Sequence, residues 1–347
     1  VGRSSLRDSP LCDLRGLCAS AVALVISGCC VVVDGGGLTP IIPRVIEQPR
    51  HLAVRLPNWV GDVCMVLPAL ARLRAAGFHL HGFGRGWLAD LLAAEPDVIT
   101  KLPGGLWADA AVMRASGCRD GVLFTNSIGS ALRMRLAGIR AVGHGGVRSL
   151  LMGRTVARER GSHEVDAFWR IAGALCSDGQ SAIPPLLGWR PAARHVAEAE
   201  AALAAAGVGP RFVVCAPLAV GTIHGLSKQW PGFPLLCRML SDRQPVVACP
   251  GPGEEAATAR ALPGAIMLNG LKLGAYAVIM SRALAVVAND SGPMHLGAAA
   301  GASVVGVFGV SDPGRTRPWS PRARAVGGLG AWPTVDIVAA AAMGTTS

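Results

Sequence analysis

The sequence contains few aromatic and few charged residues for its length. Of 347 residues, 5 % are aromatic, with a single tyrosine, and 16 % are charged, whereas 51 % are hydrophobic. Global disorder is excluded, because disordered chains have few hydrophobic residues and a high net charge. The shortage of aromatic residues argues against an aromatic-rich β sandwich and favours helices packed closely on a sheet. The length is sufficient for two domains of ordinary size.

Motifs of several common protein classes are also absent. No GxxxxGK[ST] sequence occurs, so the chain is not a P-loop NTPase. The formal net charge of +11 predicts an anionic partner. No helix-turn-helix, zinc-finger or aromatic RNA-binding signature accompanies that charge. We therefore expect no nucleic-acid partner and favour an anionic small substrate or an acidic lipid surface.

The ten cysteines form no CxxC pair. A secreted scaffold held by disulfides is shorter and denser in cysteine. Most of these cysteines lie in apolar surroundings, for example Cys64, Cys215, Cys237 and Cys249. They predict buried, reduced thiols in a reducing compartment.

The first fifty residues differ from the rest of the chain. An apolar run at 18–33 follows three arginines, is short for a membrane span and has the length of a signal-peptide core. Residues 26–29 (Ile-Ser-Gly-Cys) resemble a lipoprotein cleavage sequence. The remaining chain is typical of a cytosolic enzyme, so we expect residues 1–50 to be an extension outside the fold. Export remains the alternative.

From residue 51 onwards, short apolar runs alternate with stretches of helical periodicity. Such alternation predicts right-handed βαβ units and mostly parallel sheets. A proline-rich segment at 183–191 and an alanine-rich helix at 192–206 interrupt it, so we predict one domain at 51–190 and another at 191–340. Both are predicted to be doubly wound, Rossmann-like α/β domains that face a central cleft. The predicted strands are residues 51–56, 78–83, 110–113, 121–124, 140–143, 212–216, 246–249, 265–268, 284–288 and 303–308.

Residues 55–62 (Arg-Leu-Pro-Asn-Trp-Val-Gly-Asp) follow the first of these strands, where α/β domains bind their ligands. Gly61 allows a tight turn, and Asp62 falls at or beside the start of a helix. Aspartate is a favoured helix N-cap, so capping is one interpretation of Asp62. The other is a general base that removes a proton from an attacking hydroxyl group. Pro68 is expected in the first turn of this helix or at a kink.

Residues 289–295 (Asn-Asp-Ser-Gly-Pro-Met-His) join a buried strand to a helix in the second domain. Helix capping explains either Asp290 or Ser291, but it does not explain the whole polar set. The backbone N–H groups of Ser291 and Gly292 are predicted to hold a diphosphate, with His295 directed at the same place. A structural role for His295 is the alternative.

Three further features are weaker when each is considered alone. Lys228 precedes a helix that begins near Pro231, where it is either a phosphate ligand or a solvated surface lysine. Glu254 and Glu255 follow a strand, so that one of them contacts ribose hydroxyl groups or simply opposes a helix dipole. Four arginines form a basic rim on the first domain or are solvated: Arg133, Arg135, Arg140 and Arg148.

Taken together and in this order, the motifs resemble the ADP-heptose–lipopolysaccharide heptosyltransferases, glycosyltransferase family nine. The resemblance extends over residues 51–338. The Asn-Trp pair at 58–59 looks more like the second heptosyltransferase of the inner core than like the first. The matching segments are residues 57–62, 67–70, 228–231, 289–295 and 308–313, and on the acceptor side 125–127 and 133–143.

The resemblance implies a GT-B fold, an ADP-heptose donor, an inverting mechanism and no metal or other cofactor. Asp62 matches the family's proposed base, and Lys228 matches its phosphate-binding lysine. The implied donor site also contains Thr222, Glu255, Asp290, Ser291, Gly292 and His295, with Glu254 as the alternative to Glu255. The implied acceptor site contains Arg55, Asn58, Trp59, Asn126 and Ser127.

The resemblance further implies a lipid A acceptor bearing Kdo or heptose, and a cytoplasmic enzyme in peripheral contact with the inner face of the inner membrane. Three features of the sequence depart from the family pattern. Residues 1–50 have no counterpart in the family, 219–225 have few polar side chains, and 143–148 have few arginines. The alternatives are a GT-B transferase with a different nucleotide-sugar donor, and a noncatalytic two-lobed solute-binding lipoprotein.

Overall fold

The computed structural model describes residues 50–95, 97–179 and 181–344, together with the backbone of three strands in the preceding segment. Those strands are β1 (Val22–Ile26), β2 (Cys29–Asp34) and β3 (Gly37–Ile41), which form an antiparallel sheet in the order β1-β2-β3. The chain divides into two units, Val1–Gln48 and Pro49–Ser347. Positions 27 and 28 of the cleavage-like sequence lie outside the described residues.

The second unit begins with an α/β domain built on a parallel sheet. Its strands are β4 (Arg50–Arg55), β5 (Phe78–Gly84), β6 (Val98–Lys101), β7 (Asp120–Leu123), β8 (Arg140–His144) and β9 (Arg154–Val156). Its helices are α1 (Val60–Ala75), α2 (Leu88–Leu91), α3 (Leu106–Ala115), α4 (Ile128–Leu136), a 3₁₀ helix (Val147–Leu151) and α5 (Glu164–Gly173). The strand order is β6-β5-β4-β7-β8-β9.

A second α/β domain follows and repeats this organisation. Its strands are β10 (Val213–Ala216), β11 (Thr222–Ile223), β12 (Leu226–Ser227), β13 (Val246–Ala248), β14 (Ile266–Met267), β15 (Ala285–Asn289), β16 (Val304–Phe308) and β17 (Ala323–Gly327). Its helices are α6 (Ala193–Ala205), α7 (Phe233–Ser241), α8 (Glu255–Ala261), α9 (Leu273–Arg282), α10 (Gly292–Ala299), α11 (Pro313–Thr316) and α12 (Val335–Met343). The parallel sheet has the order β14-β13-β10-β15-β16-β17, and β11 and β12 form a separate two-stranded sheet.

Both sheets therefore have the strand order of a doubly wound dinucleotide-binding fold. The central strands β10, β15 and β16 are buried along their whole length and consist largely of valine and alanine. Strands covered by helices on both faces favour such continuous apolar runs over alternating ones. The predicted fold class, a pair of Rossmann-like α/β domains, is confirmed. The predicted domain boundary falls between α5 and α6.

One predicted strand is wrong, and several strands were not predicted. Residues 110–113 lie inside α3, where Ala110 and Met113 are buried three positions apart while Ala111 is exposed. That spacing belongs to a helix, and four apolar residues are too few to distinguish it from a strand. The unpredicted β6, β9 and β17 lie at sheet edges and are largely exposed. Edge strands need no continuous apolar run.

Two further expectations concern the described residues only. The described cysteines are free thiols, and Cys64, Cys118, Cys215 and Cys237 are buried. Burial raises the pKa of Cys64 and of Cys215, so these thiols stay protonated. Within the described ranges, no helix is both long and apolar enough to cross a membrane.

Candidate active site

The predicted motifs lie at the points where the two sheets reverse their strand order. In the first sheet that point is between β4 and β7, and in the second it is between β10 and β15. Ligands of doubly wound sheets bind beyond the carboxyl ends of the strands at this point. The loops after these four strands carry residues 55–62, 125–127, 217–228 and 289–295.

The N-termini of α1 and α10 meet across the two domains. A Cβ atom added to Gly292 would lie 3.3 Å from Cβ of Val60. Neither N-cap residue, Trp59 for α1 or Ser291 for α10, accepts a side-chain hydrogen bond from its helix. The first-turn N–H groups of both helices are thus left without a side-chain acceptor, which suits them to an anion. Ser291 occupies the N-cap position of α10, as one of the two expected residues, but its Oγ donates to the carbonyl oxygen of Asn289 at 3.1 Å and accepts no hydrogen bond from the helix.

Asp62 is the third residue of α1 and does not cap that helix. Its carboxyl group is partly buried, and its pKa is raised to about 6, first by burial and then by the charge of Glu164. Arg158 and Lys228 act in the opposite direction. A carboxyl group with this pKa is ionised at neutral pH and still basic enough to accept a proton. Pro68 lies in the interior of α1 and not in its first turn.

Asn289 organises the second-domain side of the site. It is fully buried, its Oδ1 accepts a hydrogen bond from the backbone N–H of Trp230 at 2.9 Å, and its Nδ2 donates to the carbonyl oxygen of Pro217 at 2.6 Å. The loop after β10 and the segment before α7 are thereby fixed to the end of β15. This arrangement brings Lys228 Nζ to 2.8 Å from Asp290 Oδ2.

His295 occupies the space between α1 and α10. A Cβ atom on Gly61 would lie 2.7 Å from Cδ2 of His295, so only glycine fits at that position without a shift of the imidazole ring. The ring is buried and its Nδ1 has no hydrogen-bond partner. Burial lowers the pKa of His295 to about 4, although Asp290 opposes the shift. The imidazole is therefore neutral at physiological pH.

Two cavities meet at Asp62. One, of about 350 Å³, lies between the helix N-termini and contains Lys228, Glu254 and Tyr276 in its wall. The other, of about 410 Å³, lies over the first domain, where Asn58, Asn126 and Ser127 line it. Trp59, Asp62 and Thr316 line both. A group bound in either cavity therefore approaches the same carboxylate.

The second cavity also contains three charged residues that sequence reasoning did not assign to the site. Arg158 and Glu164 come from the first domain, and Arg315 comes from α11 in the second. Glu164 Oε1 accepts hydrogen bonds from Arg158 and, at 2.9 Å, from Nη2 of Arg315. The only available signal was the polar character of residues 158–170, which does not distinguish a site from a solvated linker.

Arg55, one of the predicted acceptor residues, supports the site from behind and does not line either cavity. Arg55 is buried, and its guanidinium group donates to the carbonyl oxygens of Leu56 and Phe83 and, at 2.8 Å, to Oδ1 of Asn58. Burial lowers the pKa of Arg55 to about 10, so it remains charged. The structure thus places Arg55 behind Asn58, outside the walls of both cavities.

The loop after β7 is held by a second buried arginine. Arg148 donates to the carbonyl oxygen of Thr125 and, at 3.0 Å, to Oδ1 of Asn126. Ser127 caps α4, since its Oγ accepts from the N–H of Ser130 at 3.1 Å. Asn126 and Ser127 line the second cavity as predicted positions, with part of their polar capacity already used.

The four arginines of the predicted basic rim are not all free cations. Arg133 pairs with Asp109 and Arg140 pairs with Asp120, each at 2.8 Å. Arg148 is buried, as described above.

Two predicted donor residues, Thr222 and Glu255, lie away from the cavities. Thr222 is exposed on the β11–β12 hairpin, where it pairs with Ser227. Glu254 lines the first cavity and Glu255 does not, which favours Glu254 of the two alternatives.

In the described part of the chain, no three His, Cys, Asp or Glu side chains are arranged as a metal-ligand set. Metal independence remains a prediction.

The sequence profile of glycosyltransferase family 9 (heptosyltransferase) matches residues 121–345. No curated protein matches the chain by sequence.

Solved structures share the fold. ADP-heptose lps heptosyltransferase II from E. coli is 23 % identical, covers 84 % of this chain and 97 % of its own, and has a TM-score of 0.69. The glycosyl transferase family 9 protein from Veillonella parvula is 18 % identical, with coverages of 80 % and 85 % and a TM-score of 0.68. E. coli heptosyltransferase WaaC with ADP-2-deoxy-2-fluoro heptose is 19 % identical, with coverages of 81 % and 94 % and a TM-score of 0.62.

Proposed function

Because this chain belongs to glycosyltransferase family 9 (heptosyltransferase), we propose that it transfers heptose from ADP-heptose to the inner core of a lipopolysaccharide precursor. The observation that carries the proposal is the meeting of two cavities at Asp62. Structures similar in fold contain ADP or an ADP-heptose analogue, which supports the choice of donor. The acceptor is a lipid A core that bears Kdo or heptose.

The donor lies in the first cavity, against the second domain. Its diphosphate faces the first-turn N–H groups of α1 and α10, where two helix dipoles favour negative charge. Lys228 supplies an ammonium group at the same place, and the diphosphate competes for it with the carboxylate of Asp290, which lies 2.8 Å from Lys228 Nζ. Glu254 lines the cavity further along, where it accepts hydrogen bonds from the ribose hydroxyl groups.

The reaction is a direct displacement with inversion. The acceptor hydroxyl lies in the second cavity and attacks the anomeric carbon on the face opposite ADP. Asp62 accepts the hydroxyl proton as the new carbon–oxygen bond forms. The bond from the anomeric carbon to the phosphate oxygen breaks, and ADP leaves with the electron pair. Lys228 and the helix N-termini stabilise the developing charge on the diphosphate, so no metal is required.

The positive net charge of the chain suits an anionic acceptor held at a membrane surface. We propose a peripheral contact with the cytoplasmic face of the inner membrane, where lipid A precursors are glycosylated. Closure of the two domains over both cavities excludes water and limits hydrolysis of the donor.

Turnover of ADP-heptose with an inner-core acceptor tests the proposal directly. Asp62→Ala is expected to lower kcat by about 10²- to 10⁴-fold, as for loss of a general base. Lys228→Ala is expected to lower kcat/KM by about tenfold or more. Lys101→Ala, at an exposed lysine outside both cavities, serves as the control and keeps normal turnover. Near-normal turnover of both the Asp62 and Lys228 variants would show that the roles are wrong.

Two cheaper measurements test the donor and the cofactor. ADP-, UDP- and GDP-sugars are compared by thermal shift, because a ligand that binds only the native state raises its stability by mass action. The ADP-sugar is expected to give the largest shift, and a larger shift with UDP- or GDP-sugar points to a different donor on the same fold. Activity that EDTA abolishes contradicts the metal-free reaction.

A further inference from the structure

Three histidines lie together on one face of the first sheet. His51 on β4 is in register with His79 on β5, and Ala53 on β4 is in register with His81. Paired residues of neighbouring strands point to the same face, as do residues two apart in one strand. The side chains of His51, His79 and His81 therefore project from the same face at adjacent positions.

The distances between these rings are short. Nδ1 of His51 lies 2.9 Å from Nε2 of His81. The ring of His51 is centred 5.7 Å from that of His79 and 5.1 Å from that of His81. Two imidazole nitrogens on one metal ion, each bonded at about 2.0–2.1 Å, are about 2.9–3.4 Å apart for bond angles of roughly 90–110°. The spacing of His51 and His81 falls within this range.

The surroundings leave the histidines accessible. His51 and His79 are exposed, and His81 is partly buried. The carboxylate of Asp97 is already bound by Arg74. A metal ion from solvent therefore has access to the three imidazole rings.

The cluster is distant from the chemistry described above. It lies towards the amino ends of β4 and β5, whereas the cavities lie beyond the carboxyl ends of the strands. Residue Arg55, at the other end of β4, is the one that supports Asn58.

We propose that His51, His79 and His81 form a surface binding site for one divalent transition-metal ion of the imidazole-preferring class, such as Zn²⁺. Among the described residues, no three His, Cys, Asp or Glu side chains are already arranged as metal ligands. His51 and His81 are already spaced as a pair, and rotation of the exposed His79 side chain supplies the third nitrogen. Water completes the coordination. The bound ion links β4 to β5 and is separate from the proposed transfer reaction.

Isothermal titration of the full chain without a histidine tag, using Zn²⁺ in a non-chelating buffer at pH 7.5, tests the site. We expect one ion per chain and a rise in melting temperature with Zn²⁺, since binding to the native state stabilises it. His81→Gln and His79→Ala are each expected to weaken Zn²⁺ binding by about tenfold or more. His224→Asn, at an exposed histidine on the β11–β12 hairpin, is the matched control and keeps full affinity.

The outcomes separate the proposal from its competitors. Circular dichroism first establishes that each variant is folded, and the exposed position of His79 makes a folding defect in His79→Ala unexpected. Absorption of Co²⁺ in place of Zn²⁺ reports on the coordination directly. The proposal is overturned if no Zn²⁺ binds at 100-fold molar excess, or if the His79 and His81 variants bind as tightly as the unmodified chain. If no Zn²⁺ binds, His51 and His81 are only a hydrogen-bonded pair, and His79 is a neighbouring side chain.

Discussion

At the scale of single residues, the proposed role of Asp62 as the base predicts how the rate of transfer depends on pH. The carboxyl pKa is raised to about 6 by burial and by Glu164. A base acts only when deprotonated, so kcat is expected to fall about tenfold per pH unit below pH 6 and to level off above pH 7. The measurement is kcat with both substrates saturating between pH 5 and 8.5. A profile that stays flat down to pH 5 contradicts the assignment of Asp62 as the base.

The same pKa shift predicts that Asp62 costs stability. Its folded pKa of about 6 exceeds the ordinary 3.8, so the folded state binds the proton more tightly than the unfolded state. Stability therefore falls as the pH rises from about 4 to 6, and the loss persists above pH 6. Asp62→Asn is expected to raise the free energy of unfolding by about 1–3 kcal/mol at pH 8, with a smaller gain at pH 5. Urea unfolding at both pH values measures it, and an equal gain at both contradicts the linkage.

Gly61 is predicted to be required by the close approach of α1 to α10. In Gly61→Ala the new methyl group meets the buried ring of His295 at 2.7 Å. Overpacking of this kind costs about 1–3 kcal/mol of unfolding free energy. Gly129→Ala is a matched control, because Gly129 is also the second residue of its helix, and its added methyl group meets only the flexible end of Arg133. Urea unfolding of the two variants compares them, and equal stabilities contradict the steric argument.

Sequence reasoning predicted which residues meet at the site better than it predicted their individual contacts. Asp62, Lys228 and His295 were chosen from their positions after strands, and the structure brings all three to one cavity. Arg55 was predicted to contact the acceptor, yet it is buried behind Asn58. Nothing local in the sequence tells whether a long side chain after a strand turns into the core or into the cleft. That choice depends on the backbone carbonyls that the neighbouring strand β5 presents.

At the scale of elements, Asn289 holds together three segments of the donor side. Asn289→Ala removes the partners of the Trp230 N–H and of the Pro217 carbonyl oxygen, both in a buried place. The expected cost is about 1–3 kcal/mol of stability for each unsatisfied group. Since Lys228 is two residues from Trp230, KM for the donor is expected to rise more than kcat falls. Urea unfolding and donor kinetics measure both effects.

Ser291→Ala is the control for that change, because it removes only a hydroxyl group that donates to the carbonyl oxygen of Asn289. A smaller loss of stability is expected. If Asn289→Ala leaves both stability and donor KM unchanged, the residue does not position the loops.

Elements with continuous apolar runs were predictable, whereas three of the four edge strands of the two parallel sheets were not. Strands β10, β15 and β16 are fully buried and were predicted within one residue of their observed bounds. Strands β6, β9 and β17 are exposed edges, and no burial pattern distinguishes their sequences from loops. Helix α3 was mistaken for a strand because its core-facing residues are few. The local sequence indicates which residues are buried. An edge strand, by contrast, forms because the neighbouring strand offers it hydrogen-bonding partners.

At the scale of the whole molecule, repetition of one topology explains why the site exists. Each sheet has the same strand order, so each has one reversal point at its centre. The helices that begin at these points, α1 and α10, pack against each other. The polar loops of both domains are therefore brought together by the packing of two helix N-termini. The predicted pair of α/β domains and the predicted family are both confirmed.

Contacts between the two α/β domains also include polar ones beside the second cavity. Nε2 of His163 donates to the carbonyl oxygen of Arg317 at 2.9 Å, while its Nδ1 accepts from the N–H of Val165. Burial lowers the pKa of His163, which keeps the ring in the neutral form that both bonds require. The next residue, Glu164, is bound by Arg315 of the second domain. The carboxylate of Glu164, whose charge raises the pKa of Asp62, is thus held by one arginine from each domain.

This arrangement predicts that Glu164 couples domain contact to the chemistry. In Glu164→Gln the nearby negative charge is lost, while the positive charges of Arg158 and Arg315 remain. Loss of that charge favours the ionised form of Asp62, so its pKa falls and the acid midpoint of the kcat profile moves below about 6. Glu159→Gln is the control, since Glu159 is exposed, pairs with Arg170 and does not line the cavity. A midpoint that Glu164→Gln leaves unchanged, or moves to higher pH, means that the charge of Glu164 does not raise the pKa of Asp62 and that the domain contact does not adjust the base.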